Sequence, residues 1–234
     1  MEEALKLFNN YYDTFDKTLD GVHRKYDHTM RVVILAKKIA KGLNLNDEDY
    51  ELASLCALYH DIARFKQWSE YKTFEDALSF DHGNEGESIL KELGINDDII
   101  LKSTRVHNKI SVPTEFDERT KMFCDITRDA DKLDNLCIKF PKLDGDEEIP
   151  EEAVKSLLNK EMVKNNKNYK NNKLFHLLRE IGFIFDLNFK ESFKIIRDDG
   201  CIERRLEVLN DSNIKDSDEI KRTVNEFIEE RLSD

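Results

Sequence analysis

Apolar positions along this chain recur every three or four residues for most of its length, which is the period of one buried helix face. Leu5, Leu7, Phe8, Tyr11, Tyr12, Phe15 and Leu19 keep that spacing and predict a helix over residues 4–20, with Gly21 as its end. The next periodic stretch, Asp27–Lys41, carries Val32, Leu35, Ala36, Ile39 and Ala40 on one stripe that continues to Leu43. His28 stands one turn before Val32 and so points to the core side. Leu45-Asn46-Asp47-Glu48-Asp49-Tyr50 predicts a helix start: Asn46 caps, the acids suit the positive end, and Leu45 can staple to Tyr50. That helix aligns Leu52, Leu55, Cys56 and Tyr59 and delivers His60 and Asp61 at its end.

Residues 66–78 lose the period and predict a loop with aromatic content, Trp68, Tyr71 and Phe74. Asp81 is the expected N-cap of a helix with His82 in its first turn and Gly94 at its end. Ile95-Asn96-Asp97-Asp98 repeats the staple-and-cap pattern and opens a helix that reaches His107. After a loop at Pro113, a helix over Asp117–Phe140 turns Met122, Phe123, Ile126, Ala130, Leu133 and Cys137 to the core and carries Asp131. Pro141–Pro150 reads as an acidic connector, the charges of 145–173 as a solvated face, and 163–173 as an exposed Asn- and Lys-rich loop. Helical patterns return at Leu174–Leu187, Phe189–Arg197, Ile202–Leu209 and Ile220–Leu232. No strand pattern and no repeat interrupts this, so the expected fold is all-α: a helical bundle over residues 1–140, with residues 141–234 as a helical C-terminal extension packed on the same domain.

Composition agrees. Only 3 Pro and 8 Gly punctuate 234 residues, and 39% hydrophobic with 37% charged residues describes a polar-surfaced protein with a real core. A formal charge of −12 argues against a nucleic-acid polymer as partner, but leaves room for a small anion in a locally positive pocket. Cys56, Cys124, Cys137 and Cys201 form no CxxC pair and are expected as buried, reduced thiols. The acidic N-terminal residues hold no secretory pattern and no run approaches a membrane span, so the expectation is a cytoplasmic protein without a membrane partner.

The histidines change the picture from fold to chemistry. Of the six, His28, His60, His82 and His107 occupy helix ends or core-facing positions at intervals of 22 to 32 residues, and Asp131 continues the series. One such residue per successive helix brings the side chains to one end of a bundle, which is how bundles build metal sites. Imidazole and carboxylate suit divalent Mn, Fe, Mg, Ni or Zn, and a carboxylate can bridge two ions about 3.5–4 Å apart. His23, beside Arg24-Lys25, is expected at the surface and His176 in a structural role.

His28, then His60-Asp61, then Asp131 within Arg128-Asp129-Ala130-Asp131-Lys132-Leu133-Asp134 resembles the HD superfamily of metal-dependent phosphohydrolases, over roughly residues 23–135. His82 in Asp81-His82-Gly83 and His107 in Val106-His107-Asn108 match the extended pattern of members that hold two metals. The resemblance implies an HD-domain-like bundle and one or two divalent ions, the first held by His28, His60, Asp61 and Asp131. Asp61 would bridge to the second, held by His82 and His107. His60-Asp61-Ile62-Ala63-Arg64 is similar to the His-Asp-Ile-Gly-Lys form of the HD phosphodiesterases, whose closing Lys contacts the scissile phosphate, and this implies the same role for Arg64. The Gly-Tyr-Pro motif of the cyclic-di-GMP enzymes is absent, so the resemblance does not extend to that substrate.

Arg24, Arg31, Lys109, Arg128 and Lys132 flank the ligand positions, and one or two are expected to line the pocket. Asp134 is expected either behind a ligand histidine or at the surface. The expected activity is hydrolysis of a phosphate monoester or diester in a small anionic substrate, a nucleotide, with Asp61 and Arg64 as catalytic residues. The resemblance also admits an HD-type di-iron oxygenase, or a metal-stabilised sensor or binding domain without catalysis.

Overall fold

Three helices begin where capping side chains put them. Asn46 accepts from the Asp49 amide at 2.9 Å, Asp81 from the Asn84 amide at 3.0 Å, and Asp97 from the Ile99 and Ile100 amides at 3.0 Å each. Each bond satisfies N–H groups that a helix start leaves without partners. The structure is a computed structural model that describes residues 1–233. In chain order the helices are α1 Glu2–Tyr12, α2 Asp20–Gly42, α3 Asp47–Tyr59, α4 Ala63–Tyr71, α5 His82–Glu92, α6 Asp98–Val106 and α7 Glu118–Cys137. There follow α8 Glu151–Leu158, α9 Lys173–Ile181, α10 Lys190–Asp198, α11 Cys201–Leu209 and α12 Ser217–Ser233. Among the described residues there is no strand, and no helix is long and apolar enough to cross a membrane. The fold is all-α.

The chain divides into two compact units, Met1–Asp131 and Lys132–Asp234, with the division inside α7. In the first, α2 packs along α3 and α4, α5 along α4 and α6, and α3 along α6, while α1 closes over α3. In the second, α8 packs on α9 and α12, and α10 on α11 and α12.

Four expectations are corrected. Gly21 does not end the first helix: α1 stops at Tyr12 and Gly21 lies in the first turn of α2. The reason is tertiary, because a Cβ on Gly21 would fall 2.2 Å from the Trp68 ring, so only glycine lets that indole press against the α2 backbone. Residues 63–71, expected in part as loop, form α4. Phe65 there is buried against Tyr12 and Phe8, at ring separations of 5.2 and 5.6 Å, and this packing stabilises a helix whose own period is weak. Lys72, at φ +55°, then ends it.

The segment 145–173 is not only a solvated face. It contains α8, which buries Ala153, Val154 and Leu157. The cysteines, finally, are not four thiols: Cys137 and Cys201 form a disulfide across 64 residues of sequence, while Cys56 and Cys124 remain buried and free. Spacing arguments find local pairs, and this pair is brought together only by packing of the second unit.

That same contact is reinforced by Arg205 of α11. Its guanidinium donates to the Ile138 carbonyl at 2.7 Å and the Asn135 carbonyl at 2.5 Å, and pairs with Glu180 at 2.9 Å. It thereby satisfies carbonyls that the end of α7 would otherwise leave open.

Candidate metal centre

His28 lies on the buried face of α2; His60 and Asp61 follow α3 directly; His82 opens α5; His107 follows α6; Asp131 sits in α7. All six belong to the first unit. The helix ends orient the rings. His60 Nδ1–H donates to the Ala57 carbonyl at 2.8 Å and His107 Nδ1–H to the Thr104 carbonyl at 2.7 Å, each three residues back in the last helical turn. His82 Nδ1–H donates to the Asp76 carboxylate at 2.6 Å. With Nδ1 protonated in all three, the Nε2 lone pairs face inward, the tautomer a metal requires.

Asp61 stands between two groups of nitrogens. Its Oδ2 lies 3.5 Å from both His28 Nε2 and His60 Nε2, and its Oδ1 lies 3.3 Å from His107 Nε2 and 3.6 Å from His82 Nε2. Asp131 completes the first group, with Oδ1 3.1 Å from His28 Nε2 and 4.0 Å from His60 Nε2. Two sets, His28–His60–Asp131 and His60–Asp61–His107, are compact enough for each to hold a metal ion.

The donors fit such an ion. His60 Nε2 is buried and accepts no hydrogen bond among the described residues. His82 Nε2 and His107 Nε2 lie 3.1 Å apart, and with Nδ1 protonated on both rings two lone pairs crowd together there, which is repulsive unless they share a cation. Two nitrogens about 2.1 Å from one ion at tetrahedral or right angles are about 3.0–3.4 Å apart, so this spacing suits a shared ion.

Electrostatics point the same way. Burial pushes the His60 and His82 imidazoles down to about 4, so both are neutral near pH 7. Burial alone would push the Asp61 carboxyl up, but Lys25, His60 and Arg64 together outweigh it and hold Asp61 well below the usual carboxylate range. Asp131 is held low in the same way, with His28 overcoming its burial. Neutral imidazoles around ionised carboxylates are the form that binds divalent ions.

The close approach of α5 to α6 depends on glycine. A Cβ on Gly83 would fall 2.5 Å from the Arg105 carbonyl, and one on Gly86 would fall 2.8 Å from the Thr104 methyl group. Gly83→Ala must push α5 off α6 and draw His82 away from His107. The expected result is a loss of about 1–3 kcal/mol of stability together with weakened metal binding at His82 and His107. Metal stoichiometry and denaturant unfolding of the variant check this; unchanged metal binding contradicts it.

Three residues of the site were not among those singled out in the sequence. Lys25 Nζ lies 2.6 Å from Asp61 Oδ2, on the oxygen that also faces His28 and His60. Asp76, from the loop after α4, binds His82 Nδ1 and also accepts from Arg64 at 3.2 Å, Gln67 at 3.0 Å and Asn108 at 3.1 Å. Gln67 is fully buried and accepts from Arg64 Nη1 at 2.5 Å. A lysine three residues before His28 was the only legible hint; Asp76 and Gln67 lie in a stretch expected as loop.

Arg64 lies beside Asp61, but most of its guanidinium is committed to protein. Nε reaches Asp61 Oδ1 at 3.3 Å, and Nη1 reaches Gln67, the Phe74 carbonyl and Asp76, leaving Nη2 without a protein acceptor among the described residues. Of the other flanking charges, Arg128 is buried and donates to the Lys109 and Ile110 carbonyls, Lys109 pairs with Asp81, Lys132 pairs with Asp186, and Arg31 is half-buried on α2. Asp134 is buried in the second unit. His23 is exposed beside Asp27, and His176 donates to the Lys170 carbonyl at 2.7 Å.

The first unit is all-α and gathers four histidines and two aspartates from successive helices, an arrangement that could hold metal ions as helical bundles do. Residues 26–136 match the family model of the HD domain. That stretch, a little under half of the chain, therefore carries an HD domain. No curated protein and no solved structure matches the chain.

Proposed function

We propose that this protein is a two-metal phosphohydrolase acting on a phosphate ester of a small anionic substrate, with a nucleotide as the favoured class. The observation that carries the reading is Asp61, which turns one carboxylate oxygen to His28 and His60 and the other to His82 and His107. A carboxylate so shared suits a pair of ions rather than one.

In this reading His28, His60, Asp61 and Asp131 hold the first ion, and His82, His107 and the second oxygen of Asp61 hold the other. Bound there, divalent metals supply Lewis acidity toward phosphoryl oxygens and lower the pKa of the attacking water. Arg64, fixed through Nε and Nη1, presents Nη2 to a phosphoryl oxygen and balances charge that grows in the transition state. Asp76 keeps His82 in the tautomer and orientation that binding needs, and ties it to Arg64.

A panel of nucleotides and simple phosphate esters, assayed with Mn²⁺, Mg²⁺, Fe²⁺, Ni²⁺ and Zn²⁺ beside an Asp61→Ala control, tests the proposal. Metal-dependent phosphate release that the control lacks supports it. Tightly held iron with oxygen consumption and no phosphate release points instead to an HD-type oxygenase. Metal binding with no turnover of any substrate points to a sensor.

A further inference from the structure

Beside the aromatic rings that flank Lys25 and Arg64 stands an arginine with no ion pair to an acid among the described residues. Arg24 is exposed on α2, and among the described residues its contacts are with two aromatic rings: its Cζ lies 5.2 Å from the Phe74 centroid and 5.8 Å from the Trp68 ring. In a chain with 49 acidic and 37 basic residues, an arginine without a carboxylate partner stands out. Other arginines of the first unit are paired with acids: Arg64 with Asp61 and Asp76, Arg105 with Glu87, and Arg119 with Asp49.

Arg24 is also held in place. Trp68 is pressed against the backbone of Gly21, and Phe74 lies against Trp68 with ring centroids 4.7 Å apart. A guanidinium resting on ring faces keeps its in-plane N–H edge free, and that edge is the fork that matches phosphate. Arg24 and Lys25 stand four and three residues before His28, so they share the helix face that carries this ligand. The Phe74 ring also lies 5.4 Å from Lys25 Nζ and 5.6 Å from Arg64 Cζ. Three cations thus surround one ring. Lys25 and Arg64 are turned to the two oxygens of Asp61, whereas Arg24 is turned to neither.

We propose that Arg24, mounted on Trp68 and Phe74, binds a second phosphate of the substrate, so that the preferred substrate carries a further phosphate group beyond the one that is hydrolysed. This deepens the phosphohydrolase reading and rests on it. The metals and Arg64 engage the scissile phosphate, and Arg24 engages the other.

The test is titration calorimetry of Mn²⁺-loaded protein, cleared of excess metal, with inorganic phosphate and with pyrophosphate. Wild-type protein is expected to bind pyrophosphate more tightly than phosphate. Arg24→Gln should lower that preference by about tenfold, the scale of one lost charge-assisted contact, while phosphate affinity and metal stoichiometry stay unchanged. Arg24→Lys should restore only part of the preference, because a point charge replaces a fork. If Arg24→Gln weakens both anions equally, or leaves pyrophosphate binding intact, the role of Arg24 is overturned while the phosphohydrolase reading stands. If wild-type protein binds neither anion, both are overturned.

Discussion

Asp61→Asn is expected to lower metal affinity by more than about 100-fold and phosphate release by about 1,000-fold, while the protein stays folded. Substitution of a residue that merely orients a ligand costs about 10- to 100-fold in metal affinity. Asp61 does more, because its two oxygens face both histidine pairs and its charge offsets both Lys25 and Arg64. Asparagine keeps the shape but removes the charge and one of the two acceptor oxygens. Fold is checked by far-ultraviolet circular dichroism, metal by elemental analysis after gel filtration, and activity on whichever ester the wild-type protein hydrolyses. A variant that keeps its metals and its turnover would sink the assignment of Asp61 as the shared ligand.

Arg205→Met is expected to cost about 3–5 kcal/mol, the usual loss when one partner of a buried ion pair is removed. Arg205 is 1% exposed, and its removal strips the end of α7 of a donor and Glu180 of its ion-pair partner. The loss should depend on pH in a defined direction. Burial already raises the Glu180 carboxyl to about 7 despite Arg205, which lowers it. A carboxyl raised in the folded state binds its proton more tightly there than in the unfolded chain, so its contribution is fully present below about 4.5 and is lost as pH rises through 7. Without Arg205 the carboxyl rises further, so the variant should be closest to wild type near pH 5 and furthest from it near pH 8. Urea unfolding at both values measures the difference. An equal loss at the two pH values would show that Glu180 takes no part.

Most of the helices could be read from the chain because their signals are local. Asn46 and Asp81 cap the helices they were expected to cap, and Asp97 caps the helix that the Ile95–Asp98 pattern was expected to open, since the cap bond spans only two or three residues. His28 was placed on the core side from period alone, and it is buried there. The exceptions share a cause. α4 owes its helix to burial of Phe65 against residues of α1, and Gly21 owes its place to Trp68, which lies 47 positions away. Neither partner is visible within a helical window.

The sequence by itself determined the all-α class, the caps, and six candidate ligands in their order. Side-chain period and hydrogen-bonding type are properties of short stretches, and the His, His-Asp, Asp order survives any arrangement of the helices. Only the tertiary structure decided which oxygen of Asp61 faces which histidines, that Lys25 and Arg64 lean on that carboxylate, and that Asp76 fixes His82. It also decided that Cys137 meets Cys201 and that Arg24 rests on two aromatic rings. Those relations are distances between elements far apart in the chain, and they exist only once the helices have packed.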